Sequence, residues 1–129
     1  MPLRPGLAAT IEWTVTDADT AAAVGSGDVP VLATPRVVAL AEQAGVAALA
    51  EALDPGTTTV GYRVQLDHLA PTPVGATVRV EAVLEAVEGR RLTFRVAVTD
   101  ANGLVAAGRI TRVSVERTRF LERAAGTDA

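Results

Sequence analysis

The sequence predicts an α+β fold in which one antiparallel β-sheet wraps around a single long helix. Three observations lead there. One helical pattern runs through Pro35–Leu53, a strand-like stretch precedes it, and four strand-like stretches joined mostly by hairpin turns follow it. Several of those stretches exceed the usual strand length of about 5–6 residues, so the sheet is expected to be large and curved. One helix covers only one face of such a sheet, and the hot-dog arrangement meets that constraint.

Taken in order, Ala8–Asp17 alternates Ile11, Trp13 and Val15 with Glu12, Thr14 and Thr16, the pattern of a half-buried strand. Val24–Pro30 holds two glycines, Asp28 and Pro30 and reads as a loop. Thr34-Pro35 then suits a helix start, threonine as N-cap and proline in the first turn. Asp54-Pro55-Gly56 terminates that helix. Thr58–Leu69 places Val60, Tyr62, Val64, Leu66 and His68 on one face. Thr77–Val87 groups Val78, Val80 and Leu84, and a turn at Glu88-Gly89 leads to Leu92, Phe94, Val96 and Val98. Asp100–Gly103, with Asn102-Gly103, is a hairpin turn into a last strand from Leu104 to Arg117. The whole chain, 1–129, is read as one domain, with Met1–Leu7 and Arg123–Ala129 as loose tails.

Composition removes several function classes. The net charge of −3 offers no basic field for nucleic acid. Without cysteine there is no disulfide, thiolate nucleophile or cysteine-ligated metal, and one histidine does not make a multi-histidine metal site. The first 25 residues lack a continuous apolar run, and no stretch approaches the ~20 apolar residues of a membrane span. The expected location is cytoplasmic, with no membrane partner.

Three polar residues stand out against this background. On a helical wheel Val38, Val46, Leu49 and Leu53 cluster, and Glu42 falls among them, while Arg36, Gln43 and Glu51 lie elsewhere. A carboxylate in an apolar stripe needs a compensating partner, and such residues are often kept for chemistry. His68 continues the apolar face of its strand and should point at the helix. Thr34 opens that helix, two turns before Glu42. A hydroxyl, a carboxylate and an imidazole form a workable set for acyl transfer.

The pieces that carry these residues also resemble a known family. Ala33-Thr34-Pro35, Glu42 and His68-Leu69-Ala70-Pro71-Thr72-Pro73-Val74-Gly75, followed by Val87-Glu88-Gly89-Arg90-Arg91-Leu92, resemble the hot-dog thioesterases of the fluoroacetyl-CoA thioesterase type, over about Val31 to Glu122. The resemblance implies hydrolysis of an acyl-CoA thioester by Thr34, Glu42 and His68. It places Gly61 where a glycine allows close acyl approach and Arg112 where an arginine stands near the site. It further implies a homodimer, sheets joined edge to edge and sites near the interface, with coenzyme A as part of the substrate and no other cofactor or metal. Glu42 would activate water or attack the carbonyl, His68 would orient it, and backbone N–H groups at the helix start would meet the oxyanion. Arg90 and Arg91, on a turn, are candidates for the CoA phosphates. The fluoroacetyl-specific enzyme carries bulky phenylalanines in the loop before its helix. Here Val24-Gly25-Ser26-Gly27-Asp28-Val29 has no aromatic, so the resemblance carries the reaction class rather than the acyl group.

Two other readings follow from the same fold. A non-catalytic hot-dog protein would bind acyl-CoA, or a related small ligand, without turnover. A hot-dog hydratase would need an Asp and His pairing within a characteristic segment, which this sequence lacks.

Overall fold

The computed structural model describes residues 2–126. The elements run β1 (Ala8–Thr14), a short 3-10 turn (Asp17–Asp19), α1 (Ala21–Val24), α2 (Thr34–Ala48), β2 (Thr57–His68), β3 (Thr77–Glu88), β4 (Arg91–Asp100), β5 (Gly103–Glu116) and α3 (Arg117–Ala124). The five strands form one antiparallel sheet in the order β1-β3-β4-β5-β2, which leaves β1 and β2 at the edges. The sheet wraps α2, as the hot-dog expectation requires.

The core follows the period-2 pattern of the central strands. Val78, Val80, Ala82 and Leu84 of β3 and Leu92, Phe94, Val96 and Val98 of β4 are buried beneath the helix. α2 meets them with Val37 and Leu40 and with the small residues Ala41, Ala44, Gly45 and Ala48. A Cβ on Gly45 would lie only 3.3 Å from Ile110 Cδ1, so the glycine lets helix and sheet approach closely.

This corrects the expected helix face. The buried stripe is the alanine-rich one, whereas Val38 and Glu42 are half-buried and Val46 is exposed. In an alanine-rich helix apolar residues surround most of the circumference, and the close-packing small side chains decide which face meets the sheet. The helix is also shorter than Pro35–Leu53. It ends at Ala48 with Leu49 as C-cap, and the following turn buries Leu49 completely.

The expected face of β2 is corrected too. Its pairing with β5 slips between Gly61 and Arg63, a bulge that leaves Tyr62 without an opposite residue. One extra residue reverses which side chains face inward. Thr59 and Gly61 therefore face the helix before the bulge, Leu66 and His68 after it, and Tyr62 and Val64 are exposed.

Neither end matches a loose tail over its described length. Gly6 N–H donates to Leu84 O, Leu84 N–H donates to Leu7 O, and Leu3 and Leu7 pack against the core. At the other end the Glu116 side chain accepts from the N–H groups of Thr118 and Arg119 and starts α3. Such a cap satisfies otherwise orphaned donors and turns a polar stretch into a helix. Met1 and residues 127–129, part of both expected tails, lie outside the described residues. Among the described residues no helix is long and apolar enough to cross a membrane.

Candidate active site

The H-L-A-P-T-P-V-G segment turns out to be a clamp. Leu69 and Ala70 donate their N–H groups to Val105 O, which anchors the segment to β5. Thr72 is fully buried, its hydroxyl donating to Asp100 Oδ2 and its carbonyl accepting from Leu32 N–H. Val31 also bridges to Pro73. The chain before α2 is thereby held against the end of β2, which sets Thr34 beside His68.

Thr34 differs from the expected N-cap. Ala33 occupies that position and Thr34 is the first helical residue, with no capping hydrogen bond from a side chain. Its hydroxyl is free for a different partner, and Thr34 Oγ1 lies 2.8 Å from His68 Nδ1. The other ring nitrogen, His68 Nε2, is buried and has no hydrogen-bond partner among the described residues. A buried imidazole nitrogen left open in this way is available to a substrate or a water. Thr34 and His68 line a cavity of about 360 Å³ whose wall includes Ser26, Asp28, Val29 and Leu69.

Glu42 belongs to a second cluster. Its Oε2 accepts from Arg112 Nη1 at 2.8 Å. Arg112, only 7% exposed, also donates from Nε to Thr59 Oγ1 and from Nη2 to the Thr59 carbonyl, each at 2.9 Å. Burial pushes the guanidinium below its ordinary pKa, and the Glu42 charge works in the opposite direction. Gly61, paired with Arg112 across the sheet, has no side chain to displace the Glu42 carboxylate. The compensating partner that a carboxylate in an apolar stripe needs is thus the Arg112 guanidinium, held from β5.

The structure brings Thr34 to His68, and Glu42 to Arg112 and Gly61, but no hydrogen bond or ion pair joins the two groups. Eight residues of helix separate Thr34 from Glu42, about 12 Å at 1.5 Å per residue. Arg90 and Arg91 stand at a separate groove, of about 410 Å³, that also includes Gly61. Arg91 is engaged there, donating from Nη2 to the Tyr62 hydroxyl at 3.2 Å.

Two supporting residues were not singled out from sequence. Thr59 was hidden by the bulge, which reverses the face expected for the first half of β2. Asp19 is 4% exposed and accepts from Trp13 Nε1, Thr16 N–H, Thr16 Oγ1 and Arg36 Nε. The Arg36 guanidinium also stacks on Trp13 at 4.6 Å. Burial opposes the Asp19 charge, yet these donors hold its carboxyl far below the ordinary range. The Thr16-x-x-Asp19 spacing, a capping-box pattern, was the available signal. Among the described residues no group of three or more His, Cys, Asp or Glu could hold a metal ion.

Residues 15–118 match the family model described as fluoroacetyl-CoA-specific thioesterase. The chain belongs to that family. It is 40% identical over 90 residues to the fluoroacetyl-CoA thioesterase of Streptantibioticus cattleyicolor, a match covering 70% of this chain and 65% of that protein. The chain thus matches slightly under two thirds of that relative's length. A solved structure of the fluoroacetyl-CoA thioesterase FlK superposes with a TM-score of 0.91 at 31% identity, covering 100% of each chain. A hot-dog-like protein from Thermanaerovibrio acidaminovorans superposes with a TM-score of 0.88 at 25% identity, covering 96% of this chain and 92% of that one. The fluoroacetyl-CoA-specific thioesterase family and its hot-dog fold therefore agree with the sheet and helix described above.

Proposed function

We propose that this chain hydrolyses an acyl-CoA thioester to a carboxylate and free coenzyme A. The observation that carries the reading is the Thr34–His68 contact at the wall of a cavity, with His68 Nε2 buried and open. Family membership supports the reaction class.

The catalytic set is Thr34, Glu42 and His68, and its parts meet across a homodimer. β2 is a 12-residue edge strand with exposed Tyr62 and Val64, which a partner strand would cover. Antiparallel pairing of two β2 edges about a two-fold axis near Val64 and Gln65 sets His68 of one subunit opposite Gly61 of the other. The partner's Glu42, held by its Arg112 and Gly61, then faces the Thr34–His68 pair. The Glu42 carboxylate takes a proton from the attacking water, or it attacks the thioester carbonyl itself and water then hydrolyses the resulting anhydride to the carboxylate and free Glu42. The thioester C–S bond breaks, the thiolate leaves, and His68 Nε2 is placed to deliver its proton. Thr34 holds the imidazole through Nδ1, and N–H groups at the start of α2 stabilise the oxyanion. Arg90 and Arg91 approach the CoA phosphates. The chain works as a cytoplasmic enzyme and needs no cofactor beyond the coenzyme A of its substrate.

The cavity beside Thr34 is bordered by Val29, Ser26 and Asp28 rather than by aromatic side chains, so it admits acyl groups larger than fluoroacetyl. Free-thiol release from short, medium, branched and aromatic acyl-CoAs tests the whole reading. Turnover of at least one, with losses of ~10²-fold or more in Glu42→Gln and His68→Ala, is the expected result. Unchanged rates in both variants, or no turnover of any thioester, would overturn it.

A further inference from the structure

The face of the sheet turned away from α2 is apolar at one end. Thr59, Gly61 and Arg112 point at the helix side, so alternation turns Val60, Val113 and Val115 to the opposite side, where Val60 pairs with Val113 and Thr58 with Val115. These three valines are half-buried. Farther along β5 the same face is ionic, with Glu85 at 2.7 Å from Arg109 and 4.0 Å from Arg95.

α3 leans over the apolar end without closing it. None of its residues is buried: Phe120 is half-buried, and Leu121 is 58% exposed. Beneath the helix a groove of about 410 Å³ is floored by Val60, Val113, Val115 and Phe120, with Arg123 on its rim and Glu88 as its acidic residue. An adjoining hollow of about 280 Å³ shares Phe120 and Arg123 and adds Arg119 and Glu116. Glu116 is committed to capping α3. The backbone fixes this shape, since Ser114 N–H donates to Arg90 O and Arg117 N–H to Gly56 O.

We propose that this outer groove binds an amphipathic carboxylate, its aliphatic chain lying on Val60, Val113, Val115 and Phe120 and its carboxylate held by Arg119 and Arg123. The floor is aliphatic and β-branched, which suits a hydrocarbon chain. Arginine presents a planar fork of donors that matches the two oxygens of a carboxylate. The volume suits a small ligand rather than a protein surface. Charge and apolar surface are thus arranged for a molecule with a head and a tail. The site is separate from the hydrolytic one, because the sheet lies between this groove and Glu42. The assignment therefore stands whether or not the chain hydrolyses thioesters.

Calorimetry with octanoate measures the binding, and amide NMR locates it. Octanoate should saturate wild type and move the amide signals of residues 113–115 and 117–123, while those of Thr34, His68 and Leu69 stay in place. Affinity should rise about 2- to 4-fold per methylene from butanoate to octanoate, and octanol should bind about 10-fold more weakly than octanoate. Arg119→Ala/Arg123→Ala should weaken octanoate about 10-fold or more. Val113→Thr/Val115→Thr, which keeps side-chain shape and strand preference, should flatten the dependence on chain length. Arg79→Ala, on the exposed side of β3, should match wild type. The signal map and the chain-length series use wild type alone, so they decide the matter even if a variant fails to fold. No saturable binding, equal binding by the arginine variant, or shifts confined to Thr34 and His68 would overturn the proposal, the last by placing the carboxylate in the hydrolytic cavity. So would binding to anionic phospholipid vesicles without binding of free octanoate, which would assign α3 to a lipid surface. Self-association that Val113→Thr/Val115→Thr abolishes, again without octanoate binding, would overturn it by giving the face to a second copy of the chain.

Discussion

Gly61 illustrates how much of the proposed chemistry depends on an atom that is absent. A Cβ built there collides with Glu42 Oε2 and lies 3.8 Å from Arg112 Nη1. The atom that must yield is the far end of a flexible glutamate, so folding has an inexpensive escape while the carboxylate does not keep its place. Gly61→Ala is therefore expected to hold its melting temperature within a few degrees yet lose about 10- to 100-fold in kcat, through displacement of a catalytic base. Thermal denaturation alongside thioester turnover checks both halves. Full activity would mean that the Glu42 position seen here is not the working one. Arg112 behaves differently, because it is itself buried and makes three hydrogen bonds, the two to Thr59 buried and the one to Glu42 partly so. Arg112→Met would leave Glu42 and Thr59 without their donor, and a loss of about 3 kcal/mol in unfolding free energy is expected by denaturant titration. Sequence pattern singled out Glu42 as a carboxylate on a buried face, whereas it lies half-buried beside that face and is paired with Arg112. The Arg112 partner lies 70 residues away along the chain, a pairing that no local period encodes.

At the scale of elements, the N-terminal end of α2 is set by a knot that lies outside it. The Asp19 carbonyl accepts from Ala33 N–H, which ties the 3-10 turn to the helix entrance, and the Asp19 carboxylate grips Arg36 in the first turn of α2. Thr34 sits between those two attachments. Because the folded-state pKa of Asp19 is depressed, its contribution is fully present above the unfolded value near 3.8 and is lost as pH falls below it. Asp19→Asn should thus cost about 2–4 kcal/mol at pH 7, and its stability should fall less steeply than wild type as pH drops below about 4. Urea titrations across that range provide the measurement, and parallel acid-side curves for the two proteins would contradict it. A second element-level constraint is Gly108 of β5, where a Cβ would run into the Gln65 carbonyl and come within 2.9 Å of Leu66 Cα. Backbone cannot yield as a side chain can, so Gly108→Ala is expected to loosen β2 from β5. A drop in melting temperature well beyond that of Gly61→Ala, with faster amide exchange in both strands, would show it. The strands were legible because alternation survives burial on one face. The bulge at Tyr62 and helix α3 were not, since one depends on a single inserted residue and the other on a capping glutamate in polar sequence.

For the whole molecule, the separation of Thr34–His68 from Glu42–Arg112 makes a strong demand. Within one subunit these groups are held by different attachments, one by the clamp at the end of β2, the other by β5. If edge pairing of β2 unites them, each site takes its imidazole from one chain and its carboxylate from the other. That arrangement makes a prediction no single-chain site shares. Glu42→Gln and His68→Ala homodimers should each be nearly inactive. Unfolded together and refolded as a mixture, they should form heterodimers in which one of the two sites has both wild-type groups. With random pairing, activity should recover to roughly a quarter of the wild-type value. Refolding each variant alone supplies the baseline, and sedimentation confirms that dimers form. Recovery requires exchange of subunits, so it should vanish if Val64→Lys in both chains places charges on the pairing edge and leaves monomers. No recovery from a mixture that is demonstrably dimeric would place both groups in one subunit's site, and the separation seen here would then have to close by movement of α2.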